Sequence, residues 1–220
     1  MKIDKAIAQY IAEANFFAPD RGQENLTLHN FKKEHPDLSD SNVRALRKIL
    51  KADNWQEKFF VVDLLYLYES FDESLLNPMI ENAISSPDPS SNRIFLRPCM
   101  RVFGISTVSN LLAEKFIDSD AVRKIRISSL VYWLQRDNDG DIDKLEQAIV
   151  NRSKQTDNIV ELYHYNRYFP DKVALDQNIP HNAEELINQI KGNIELEDLL
   201  FNGLGWQRKK DNHQSLNHEN

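Results

Sequence analysis

The chain has 220 residues, with 27 basic and 34 acidic side chains and a formal charge of −7. Hydrophobic residues make up 41%, enough for one sizeable core, which excludes a wholly disordered polypeptide. The acidic balance argues against a dedicated nucleic-acid binder, and a single cysteine, Cys99, excludes an intrachain disulfide and fits a reducing cytoplasm.

Residues 3–14 place Ile3, Ile7, Tyr10, Ile11 and Ala14 on one side of a helix. The segment is amphipathic and carries acidic residues, so it is expected to be neither a signal peptide nor a membrane span. Phe16, Phe17, Pro19 and Gly22 close it. A short helix near 25–34 ends before Pro36, and Ser39 or Asp40 caps another that runs through Ala52. These two suggest a helix-turn-helix in which Arg44, Arg47, Lys48 and Lys51 face phosphates, a pattern that two short helices with a polar turn also give in any helical protein.

Residues 55–68, WQEKFFVVDLLYLY, are the most apolar stretch and predict a buried helix too short and interrupted to cross a membrane. Asp63 stands alone within it, either as a working carboxylate or as a structural anion with a partner. The cost of an unpaired buried charge favours the second reading. Asp72 caps the helix that carries Leu75, Leu76, Met79, Ile80, Ala83 and Ile84. Residues 85–91, SSPDPSS, read as a connector.

Residues 93–104, RIFLRPCMRVFG, set Arg93, Arg97 and Arg101 on one helical face, with Gly104 as the stop. Ser106 or Thr107 is expected to cap the next helix, whose apolar stripe is Val108, Leu111, Leu112 and Phe116. Ser119-Asp120 caps a third over 121–135, apolar nearly all round and therefore expected to be buried on more than one side. Residues 91–136 hold eight basic and three acidic side chains, whereas 1–90 hold 10 and 15 and 137–220 hold 9 and 16. These basic side chains are read as solvated edges of packed helices, as ladder partners for carboxylates on adjacent helix pairs, or as a surface for a partner.

Further helices are predicted from Ile142 to Ile149, over 157–169 up to Pro170, over 182–191 up to Gly192, and through Leu199, Leu200 and Phe201. The tail from residue 207, QRKKDNHQSLNHEN, is polar throughout and expected to be disordered. The expected organisation is one all-α domain over residues 1–206. Its N-terminal helices cover 1–53 and stacked antiparallel helix pairs cover 54–206.

Pairs beginning near Trp55, Arg93, Ala121 and Asp157 are spaced by 38, 28 and 36 residues. With the proline in RPCMRVFG, the tight turn and the V-x-x-L-L pattern of ISTVSNLLAEKF, residues 55–150 resemble HEAT-type (armadillo-type) helical repeats. The resemblance implies a short α-solenoid whose surface holds a macromolecule, without choosing among scaffolds, pigment-lyase chaperones and DNA glycosylases.

The run from Gln135 to Glu146, QRDNDGDIDKLE, fits a calcium loop. Asp137, Asp139, Asp143 and Glu146 fall on ligand positions, Asp141 on the carbonyl position, Gly140 at the turn and Ile142 at the apolar plug. The first position is Gln135 rather than aspartate, and no second loop follows. The same residues also serve as an acidic inter-helix turn with a capping box. No other cofactor is implied. The run 163–169, YHYNRYF, is rich in types favoured at interfaces, with Tyr163, Tyr165, Arg167 and Tyr168 as candidates, or else is a core helix with one wet edge.

With no catalytic motif in view, the expected function is non-enzymatic protein binding, as a small adaptor, scaffold or inhibitor of immunity type in the cytoplasm. The alternative is nucleic-acid binding or DNA repair through Arg93, Arg97 and Arg101. An enzyme built on Asp63 ranks last.

Overall fold

A computed structural model describes residues 1–13, 25–86, 89–136, 141–173 and 179–204. Among them the chain is all-helical and contains no strand. In order the helices are α1 (Ile3–Glu13), α2 (Leu26–Glu34), α3 (Asp40–Lys51), α4 (Trp55–Tyr66), α5 (Leu76–Ser85) and α6 (Pro89–Phe103), then α7 (Ile105–Ile117), α8 (Ala121–Arg136), α9 (Asp143–Ser153), α10 (Ile159–Tyr168), α11 (Ala183–Ile190) and α12 (Ile194–Leu204). One 3-10 turn, Glu73–Leu75, leads into α5. The tail from 207 and the residues around Phe16, Phe17, Pro19 and Gly22 lie outside the described residues.

The helix starts follow local chemistry. Ser39, Asn54, Asn158 and Asn182 sit at extended N-cap positions and accept backbone N–H bonds from the first turns of α3, α4, α10 and α11. Asp120 accepts from Arg123 N at 2.8 Å and so starts α8. The expected cap of α7 by Ser106 or Thr107 does not form. That helix begins at Ile105 directly after Gly104, whose φ of +81° turns the chain so sharply that no side-chain cap is used. The connector expected at 85–91 is shorter as well, since α5 runs through Ser85 and α6 already begins at Pro89, where a missing N–H costs nothing.

Packing links near neighbours in the chain. Helix α4 buries Phe60, Val61, Val62, Leu64 and Leu65 and touches α1, α2, α3 and α6. Helix α8 buries Ile125, Ile127, Leu130, Val131 and Leu134 and touches α5, α6, α7, α10 and α12, so its all-round apolar surface is covered from several sides. The main contacts, α5 with α6, α7 with α9, and α8 with α10 and α12, join helices no more than four apart in the chain and are consistent with a helical stack. Two apolar clusters result. The larger runs from α1 to the residues after α10, and a satellite of Ile125, Val160, Leu186, Ile190, Leu199 and Leu200 joins α8 and α10 to α11 and α12.

Polar bonds tie the layers together. Glu81 on α5 takes Lys115 of α7 at 2.6 Å and Arg123 of α8 at 2.5 Å. Burial acts to raise the Glu81 pKa, but these two cations outweigh it and hold the carboxyl below its ordinary value. Buried Asn82 donates to the Leu50 carbonyl at the end of α3 and to Pro78 O, both at 2.8 Å. The Arg126 guanidinium reaches Asn202 O near the end of α12 at 2.8 Å.

Helices α2 and α3 do not pack extensively on one another as the suggested helix-turn-helix would have them. α2 packs on α1 and α4, and α3 packs on α4 and α5. No helix among the described residues is long and apolar enough to cross a membrane.

Candidate interaction surface

Helix α6 carries the three arginines, but its neighbours give them different roles. Eight residues of helix separate Arg93 from Arg101 by about 12 Å along the axis, so the two ends meet different partners. Arg101 Nη2 donates to the Leu65 and Tyr68 carbonyls at 3.1 and 2.5 Å, and its guanidinium lies 5.0 Å from the Tyr66 ring centre. It therefore satisfies carbonyls left open at the end of α4. Arg97 is exposed. Arg93 instead lies over the indole of Trp133 on α8, 4.7 Å from the ring centre.

Trp133 is the fixed point of this end. Its Nε1 donates to Asn92 Oδ1 at 3.0 Å, and Asn92 is only 3% exposed. The buried acceptor holds the ring's direction while Arg93 covers it. Arg136, one turn on, is 5.8 Å from the same ring and 5.9 Å from Tyr132, and its Nη1 donates to Tyr132 Oη at 3.1 Å. Tyr132 stands edge-on to Trp133 at 4.7 Å and is 47% exposed. Two cations and two aromatic rings from α6 and α8 thus share one surface.

Helix α10 borders it. The Tyr168 phenol is raised above its ordinary pKa, first by burial, with Arg167 opposing and the nearby Tyr132 and Tyr163 phenols adding to the rise. Tyr163 and Tyr168 are half-buried and Arg167 is exposed. Tyr165 belongs to the core rather than to any surface. It is 0% exposed, packs edge-on against Phe116 at 5.8 Å, and donates its hydroxyl to Glu161 Oε2 at 2.9 Å. It shares the inward side of α10 with Val160, Glu161 and His164, a consequence of helical rotation that composition alone does not resolve.

The structure thus brings Arg93 together with Tyr132, Trp133 and Arg136, with Tyr168 bordering them beside Tyr132, whereas Tyr163 packs against the satellite cluster. Tyr132, Trp133 and Arg136 were not singled out from sequence. The spacing Tyr132-Trp133 followed by Arg136 at i+4 and i+3 was the available signal.

Other candidates are placed as follows. Asp63 accepts a 2.6 Å hydrogen bond from the Tyr10 hydroxyl of α1, a structural tether. Cys99 is buried, donates to Phe95 O at 3.4 Å, and has its thiol pushed far up by burial, so thiolate chemistry is closed to it. In the calcium-loop stretch, Asp137, Asp139 and Gly140 lie outside the described residues. Asp143 opens α9, its N–H bonded to Asp141 Oδ1 at 2.8 Å, and Glu146 pairs with Lys172. Among the described residues no group of three or more His, Cys, Asp or Glu side chains is arranged to hold a metal.

No protein-family model matches the chain, and neither a curated protein nor a solved structure matches it.

Proposed function

We propose that this chain is a non-enzymatic protein-binding module, a HEAT-like stack that holds a partner against the surface made by Arg93, Tyr132, Trp133 and Arg136. The observation that carries the reading is that Tyr132, 47% exposed, stands beside Trp133 and Arg136 with their orientations pinned by Asn92 and by one another. Tyrosine, tryptophan and arginine dominate binding hot spots because each buries a large area at small conformational cost. A ring already held in place loses less freedom on association. The contacts among helices near one another in the chain support the stacked part of the reading.

The test is a photo-reactive phenylalanine analogue at position 132, irradiated in a lysate of the source organism. The expected result is one dominant cross-linked protein, lost when Arg136→Glu is added and absent when the probe sits at exposed Ile117 on α7 instead. Equal labelling at 132 and 117 overturns the proposal. Nucleic acid is the competing occupant, and its signature is a cross-linked species that nuclease returns to the size of the free chain.

A further inference from the structure

We infer that the partner's contact with this surface is an acidic protein segment with a carboxylate taken by the guanidinium edge of Arg136. The inference rests on the binding reading above and adds the chemistry of the partner.

The first reason is how the arginines elsewhere are spent. Arg152 is held by both oxygens of Glu161, Arg123 by Glu81, Arg101 by the carbonyls of α4, and Arg126 by those of Asn202 and Ser85. Arg136 differs. It is exposed, it gives one donor to a tyrosine hydroxyl, and among the described residues no carboxylate lies within ion-pair distance of it. A guanidinium set against rings keeps a planar fork of N–H donors, the geometry that grips a carboxylate with two parallel bonds.

The second reason is the field. The surface lies mostly on the section 91–136, which, of the three sections 1–90, 91–136 and 137–220, alone has a basic excess, eight cations against three anions. It is flanked in sequence by sections with 10 basic and 15 acidic and with 9 basic and 16 acidic residues. A short acidic segment is drawn to the basic section and leaves the acidic ones alone. A nucleic acid brings a phosphate at every step, against a chain whose formal charge is −7 as a whole. Two guanidiniums over one indole also leave less of that ring for a base to stack on. These points favour the acidic peptide over the polynucleotide.

The experiment is fluorescence anisotropy with the full chain and three labelled probes: a peptide of alternating glutamate and leucine, its glutamine counterpart, and a thymidine oligonucleotide of equal charge. The glutamate peptide is expected to bind and to weaken as salt rises from about 50 to about 200 mM, the glutamine peptide and oligonucleotide to bind at least about tenfold more weakly. Arg136→Glu is expected to lower glutamate-peptide affinity by about tenfold or more, Arg136→Lys by less because charge survives without the fork, and Lys144→Glu on α9 not at all. Circular dichroism checks that each variant folds, and Arg93→Gln provides a second reading of the same site. Equal binding of the two peptides, an oligonucleotide bound more tightly than the glutamate peptide, or an Arg136→Glu variant that binds normally overturns the inference. If the cross-link at position 132 survives while the peptide arms fail, the partner is a protein without an acidic segment and only this inference falls.

Discussion

The Arg152 guanidinium closes on the Glu161 carboxylate through two hydrogen bonds, Nε to Oε2 at 2.8 Å and Nη2 to Oε1 at 2.9 Å. Glu161 is 1% exposed and also accepts the Tyr165 hydroxyl, so this pair from α9 and α10 sits where the core would otherwise exclude a charge. Its hydrogen bonds to Glu161 raise the Arg152 pKa further, while partial burial works against them.

Removing one partner is therefore worse than removing both. Arg152→Met leaves a buried carboxylate with only the Tyr165 hydroxyl, at a cost of about 3 kcal/mol. The double variant Arg152→Met/Glu161→Gln is expected to recover more than half of that loss. Urea unfolding of the two variants measures the difference, and equal losses count against a buried charge as the cause.

His164 sets a pH dependence. The ring is buried between α10 and α8, edge-on to Tyr168 at 5.3 Å, and neither ring nitrogen makes a well-formed hydrogen bond. Burial first, and then Arg167, push its pKa down to about 3, with the Ile125 carbonyl opposing only partly. The folded ring stays neutral while the unfolded chain takes a proton near pH 6.5. Stability is then fully present above about pH 6.5 and falls by up to ~1.4 kcal/mol per unit as pH drops towards 3. Chemical denaturation at pH 7.5, 6 and 5 is expected to show this slope, and His164→Leu is expected to flatten it. An unchanged slope in the variant assigns it to other groups.

Two glycines are expected to resist substitution for different reasons. Gly104 has φ +81° and open space around its missing Cβ, so Gly104→Ala costs about 1 kcal/mol from the backbone alone. A Cβ on Gly203 of α12 meets Ile125 Cγ2 at 2.9 Å. Ile125 is buried and β-branched and cannot turn away, so Gly203→Ala loses about 1 kcal/mol or more despite alanine's better helix propensity. Thermal melts separate the cases. In an Ile125→Ala background the Gly203→Ala loss shrinks, whereas the Gly104→Ala loss does not.

Trp133→Phe tests the anchoring of the interaction surface. It strips the buried Asn92 oxygen of its Nε1–H donor, with an expected loss of about 1–2 kcal/mol. Pairing the variant with Asn92→Leu reports whether that bond is responsible. If it is, the double variant loses little more than Asn92→Leu alone.

The helical class and most helix starts were legible in the chain, because periodicity and capping act within a few residues. Ser39 and Asp120 cap where their positions before apolar runs say they should, and the apolar run within Trp55–Tyr66 packs into the core through Phe60, Val61, Val62, Leu64 and Leu65. Gly104 announced the break after α6, although its left-handed φ did away with the side-chain cap expected after it.

Tertiary structure alone decided what each long polar side chain does. Arg93 and Arg101 look equivalent on a helical wheel, yet one stacks on Trp133 and the other holds the end of α4. Tyr165 and Tyr168 share a single run, yet the first is sealed against Phe116 and Glu161 while the second reaches the edge beside Tyr132. Spacing fixes the direction in which a side chain leaves its helix. What it meets there is set by the packing of segments tens of residues away, and that depends on how whole helices bury their apolar faces together.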